Sequence, residues 1–134
     1  MRNFNKAKNF YKNTEKSSIQ SQDPIAIVKN MVGELKRSMD KVITSTGVDS
    51  QRQFRAKYFS RSLVIIYTLQ TTLDFEKGQK LAAKLFQLYE FCRQQIIKAL
   101  TKNIKVGLQK AISSLEEILN GWKMMSQVNQ LHAR

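Results

Sequence analysis

From Val28 onward, apolar side chains return at helical intervals. Val28, Val32, Leu35, Met39 and Val42 follow one another at spacings of four, three, four and three, which lays one apolar stripe along a helix. Asp23 and Pro24 stand just ahead of that stripe. An aspartate accepts hydrogen bonds from the free N–H groups of a first turn, and a proline suits the first helical position because it has no N–H to lose. The pattern predicts a first helix over about 24–44, ended by Ser45-Thr46-Gly47.

A second helix is predicted over about 50–72, starting near Asp49 or Ser50, with Phe59, Leu63, Ile66 and Leu69 on its inner face. Tyr58 and Ile65 flank that face. The run Leu63–Tyr67 has strand character by itself, but it is short and lies inside a longer helical pattern. After the link Leu73–Gly78, a third helix is predicted over about 78–102 on Leu81, Leu85, Leu88, Cys92, Ile96 and Ala99. A fourth, over about 104–127, carries Ile104, Leu108, Ala111, Leu115, Ile118, Trp122 and Met125 in an unbroken four–three rhythm. Four amphipathic helices joined by short links predict an all-α fold, an antiparallel four-helix bundle over residues 23–128 with near +20° packing. Residues 1–22 are polar apart from a knot at Phe10 and Tyr11 and read as a mobile arm, and 129–134 as a frayed tail.

Composition sharpens this picture. The chain has 134 residues, 42% hydrophobic and 25% charged, which is enough for one domain with a real core. Five glycines and one proline supply too few turns for an all-β fold. No apolar run approaches the roughly 18 residues of a membrane span, so no membrane insertion is expected. The basic N-terminus has no apolar stretch behind it of the kind a secretory signal needs. Cys92 is a lone cysteine, which suits a reducing compartment, and a cytoplasmic location is expected.

The candidate chemistry is non-catalytic. His132 is the sole histidine and falls in the tail, so no nucleophile–base pair is held in place. A metal site within a bundle needs inward carboxylates and a Glu-x-x-His pair, and neither occurs, so no metal and no cofactor are expected. Cys92 lies on the apolar stripe and reads as a small core residue. Charge is the unusual quantity, with 23 Lys and Arg against 10 Asp and Glu, a net +13 that raises the prospect of an anionic partner. Arg52, Arg55, Lys57 and Arg61 interleave with Phe54, Tyr58 and Phe59, a pattern able to neutralise phosphates and stack bases. A small basic nucleic-acid-binding bundle is therefore the alternative function, although a core role for those aromatics is favoured and nucleic acid is the less expected partner. Phe75, Phe86, Phe91 and Ile97 are apolar residues beyond what one seam of the third helix buries, which marks either a helix central in its domain or one that pairs with a partner absent from the chain.

The stretch Leu73-Asp74-Phe75-Glu76-Lys77-Gly78, with Leu88, Tyr89, Phe91 and Ala99 after it, resembles the most recognisable segment of the FliS family of flagellin-specific export chaperones. Cys92 stands where that family usually has methionine, and Leu100 where it has asparagine. Leu119 and Trp122 match the end of its last helix, Asp23-Pro24 the opening of its first, and Tyr11 the tyrosine of its N-terminal arm. The resemblance implies a cytoplasmic chaperone of type III flagellar export. Such a chaperone binds the C-terminal segment of flagellin and blocks its premature polymerisation, with the flagellar export gate as a further partner.

On that basis a client groove is expected along the third helix, bounded by the second, with Phe75, Leu81, Leu85, Phe86, Phe91 and Ile97 as candidates. Phe10 and Tyr11 are expected to cover it when it is empty. Asp74 is expected to cap the third helix, and Gly78 to permit a close approach of backbone or client.

Overall fold

The computed structural model describes residues 24–76 and 78–131, which form four α-helices with no strand among them. Helix α1 spans Pro24–Ser45, and a 3-10 turn at Asp49–Gln51 leads into α2, Arg52–Thr71. Helix α3 spans Gln79–Lys102 and α4 spans Val106–Leu131. The expected all-α class and the four helices are present. Asp23, the expected cap of α1, lies outside the described residues, as do the arm and His132.

Consecutive helices run antiparallel. Arg55 near the start of α2 reaches Ser45 at the end of α1. Gln70 near the end of α2 donates its amide to the Phe86 carbonyl and the Glu90 carboxylate of α3, each at 3.3 Å. Helix α1 packs on α2 and α4, α3 packs on the same two, and α1 meets α3 across the diagonal. The core follows from the seams. Val32, Leu35, Met39 and Val42 of α1 are fully enclosed, as their spacing predicts, and Leu108, Ala111 and Leu115 of α4 likewise.

Ile66 and Leu69 of α2, and Leu85, Cys92, Ile96 and Ala99 of α3, are buried as their spacing predicts. The other expected positions give way to neighbours one residue round. On α2 the buried row is Arg55, Tyr58, Ser62, Ile65 and Leu69, with Ile66 beside it, while Phe59 and Leu63 are only half-buried. The seam accepts Ser62 because its hydroxyl donates back to the Tyr58 carbonyl at 2.8 Å, and buried Thr68 does the same to Val64 at 3.0 Å. A hydroxyl satisfied by its own helix brings no unpaired polarity into the core. On α3 the buried row is Ala82, Leu85, Tyr89, Cys92, Ile96 and Ala99, an unbroken three–four rhythm. Leu81 instead faces solvent, 59% exposed, and Leu88 is half-buried.

Helix α1 ends in the stretch expected, and the bounds of α4 shift by a few residues. Helix α1 stops at Gly47, whose φ of +82° is a left-handed conformation that glycine adopts without strain. Helix α3 stops at Asn103, also left-handed, with φ 57°. Helix α4 begins at Val106 rather than near Ile104, which is left exposed, and continues past Gln127 to Leu131.

Candidate functional site

The α2–α3 link is organised by Asp74, but not as a helix cap. Its Oδ1 accepts the Glu76 N–H at 3.1 Å, and its carbonyl accepts the Gly78 N–H at 3.1 Å. Gly78 itself is the residue before α3, and no side chain caps the helix there. Asp74 therefore folds the link over itself, because its short carboxylate reaches the backbone two residues on more readily than a turn of helix farther away. A Cβ on Gly78 would meet only the Asp74 carbonyl oxygen at 3.7 Å, an ordinary contact, so no close approach within the described chain demands glycine there.

This link presents Phe75 outward, and α3 presents Leu81 and Phe86. The rings of Phe75 and Phe86 lie with centroids 6.1 Å apart and planes tilted by 59°, a favoured aromatic geometry, yet both remain more than a third exposed. Gln70 bridges α2 to the same stretch of α3 through Phe86 and Glu90. One turn before Gln70 stands Tyr67, and one turn before that Val64, both exposed. These two were missed in the sequence. Their signal was available, since Leu63–Tyr67 holds more apolar residues than one helical seam accommodates.

The other groove candidates divide. Leu85 is buried in the core and is withdrawn from the groove, because the α3 seam passes through it. Phe91 is half-buried and packs against the core cluster, so it is not the free surface residue expected. Ile97 is also half-buried. Phe10 and Tyr11 lie outside the described residues.

Electrostatics at the site centre on Glu90. The Arg93 guanidinium donates to both its oxygens, with Nε at 3.0 and 3.1 Å, and Gln70 adds a further donor. Arg93 first, then Gln70, holds the Glu90 carboxyl down to about 2. Beneath the surface, burial pushes the Tyr89 phenol and the Cys92 thiol each up to about 12. Cys92 is thus a protonated core thiol near neutrality, without the thiolate that a nucleophile requires. Among the described residues no group of three or more His, Cys, Asp or Glu side chains is placed to hold a metal ion.

The basic cluster of α2 is partly consumed by the fold. Arg55 is buried and donates to the carbonyls of Ser45 and Val48, the latter at 3.1 Å. Arg61 pairs with Glu34 of α1 at 3.4 Å. Tyr58 is buried, with Lys41 and Lys57 at 4.6 and 5.4 Å from its ring centroid, and Phe54 packs on it at 4.9 Å. Of the aromatics expected to stack on bases, only Phe54 is exposed.

The family model described as Flagellar protein FliS matches residues 7–129 of the chain. A flagellar secretion chaperone FliSB of Pseudomonas aeruginosa is 27% identical over 94 residues, covering 69% of this chain and 75% of that protein. A flagellar secretion chaperone FliS of Vibrio cholerae is 34% identical over 68 residues, 51% of this chain and 50% of that protein. No solved structure matches the chain.

Proposed function

Since the chain belongs to the FliS family of flagellar export chaperones, we propose that its client is the C-terminal segment of flagellin, bound on the face formed by Phe75, Leu81 and Phe86 and continued by Val64 and Tyr67. The observation that carries this reading is the Phe75–Phe86 pair. Two large rings are packed on each other in the open, beside an exposed leucine, on a chain whose core is complete without them. Such a face takes the apolar side of an amphipathic segment that orders as it binds. Covering that side of flagellin keeps it from polymerising early and leaves it fit for export, in the cytoplasm, before delivery to the export gate. Phe10 and Tyr11 of the arm act as the cover of the empty face, which lowers apparent affinity but shields apolar surface from aggregation.

Titration of a flagellin C-terminal peptide into the parent chain and into Phe75→Ser/Phe86→Ser tests this. Each buried large apolar side chain is worth roughly 1.5–3 kcal/mol, so the double variant should bind at least about tenfold more weakly with an unchanged melting temperature. Equal affinity in a folded variant would remove this face as the client site.

A further inference from the structure

We propose that the end of the bundle carrying the α1–α2 and α3–α4 connections is a contact surface for an anionic lipid bilayer. The topology brings these two connections to the same end. Four exposed large apolar residues lie on them or in the turn that follows: Val48 and Phe54 on one side, Ile104 and Val106 on the other, with Val106 68% exposed. None of the four contributes to the face described for the client.

Cations outnumber acids at this end, where α1 adds Lys41 and an Asp40 already paired with Lys36. Residues 50–73 contain Arg52, Arg55, Lys57 and Arg61 and no acid, and residues 91–115 contain Arg93, Lys98, Lys102, Lys105 and Lys110 and no acid. Arg55, Arg61 and Arg93 are engaged within the fold. Arg52, Lys57, Lys98, Lys102, Lys105 and Lys110 are all exposed, and Asp49 is the one acid on either connection. Aliphatic side chains at the tip of tight turns, ringed by lysines, match the boundary of a bilayer, where the apolar groups enter the acyl edge and the cations meet lipid phosphates. Nucleic acid offers the same phosphates, but it rewards exposed rings that stack, and three of the four apolar residues here are aliphatic. No described helix is long and apolar enough to cross a membrane, so the contact is made end-on at the surface. It does not depend on what the client is.

Sedimentation of the full chain with phosphatidylcholine vesicles, with and without one third phosphatidylglycerol, tests the proposal. Binding should require the anionic lipid and weaken as salt rises. Lys102→Glu/Lys105→Glu should lower the partition coefficient at least about tenfold. Lys80→Glu/Lys84→Glu changes net charge equally at the opposite end and should leave it nearly unchanged. Ile104→Ser/Val106→Ser should also lower it about tenfold. Val106→Ser alone, at the more exposed position, serves if the double variant melts early. Equal losses from the two charge reversals would mean that net charge alone acts, and the proposal falls. It falls equally if the serine variants bind fully, a result that, with competition by duplex DNA, would assign the surface to phosphate rather than to a bilayer.

Discussion

The Arg55 guanidinium donates to the carbonyl oxygen of Ser45, ten positions earlier, and so fastens the first turns of α2 onto the last turn of α1. That carbonyl also accepts the Val48 N–H at 3.1 Å, while Ser45 and Thr46 hydroxyls bond the Lys41 and Val42 carbonyls. The carbonyls that a helix leaves unpaired at its C-terminus are thereby satisfied in a buried corner. Arg55→Met keeps the stem and removes the donors, and should destabilise the chain by roughly 1–3 kcal/mol in urea unfolding. Arg55→Lys should recover only part of that loss, because an ammonium lacks the planar fork.

Gly107 and Gln95 form a second such dependence. A Cβ at Gly107 would stand 1.8 Å from Gln95 Oε1 and 2.5 Å from its Cδ, and Gln95 is buried. Gly107→Ala must therefore displace the Gln95 amide, a shift that the end of a side chain can make at a cost of about 1 kcal/mol or less. In a Gln95→Ala background the same change should cost much less, and a double-mutant cycle measures the difference.

Glu90 gives stability an acid limb. Its carboxyl titrates near 4.5 when unfolded and near 2 when folded, so below 4.5 the unfolded chain binds the extra proton and gains on the native state. The contribution is present in full above pH 4.5 and fades as pH falls through 2. Urea midpoints of the parent and of Glu90→Gln should differ at pH 7 and converge across that window. The gap should be small, since the pair with Arg93 is partly open to water.

Phe91 and Leu81 should exchange the roles expected of them. Phe91→Ser, at a half-buried position against the core, should lower stability by about 1–3 kcal/mol, whereas Leu81→Ser should stay within about 0.5 kcal/mol. Thermal melts of the two single variants separate these outcomes directly.

The helices were legible because α1 and α4 keep their apolar residues on one clean stripe, and the tight ends are marked by Gly47 and Asn103. The seam of α2 was legible only at Ile66 and Leu69, and that of α3 at all but two positions. Ser62 and Thr68 conceal their hydroxyls by bonding to their own helix, so a count of apolar residues alone slides off the buried row. Ala82 and Tyr89 likewise carry a seam that the neighbouring leucines seemed to own. Phe75 and Phe86 are exposed as expected, because aromatics in excess of a seam are conspicuous, whereas the exposure of Val64 and Tyr67 was masked by the apolar run around them. Arg55 is the sharpest lesson: no pattern in the chain separates a cation that meets solvent from one that holds a loop.

The uncapped start of α3 carries a consequence for adaptability. Gly78 offers no side chain to accept the first N–H groups of α3, and Leu81 in that turn buries little, so within α3 this turn opens at the lowest cost. From Leu85 onward the helix is locked into the core. Amide exchange should accordingly be fast from Gln79 to Leu81 and slow from Tyr89 to Ile96. The proposed client face would therefore combine a rigid floor from Leu85 onward with a more easily opened edge at Leu81.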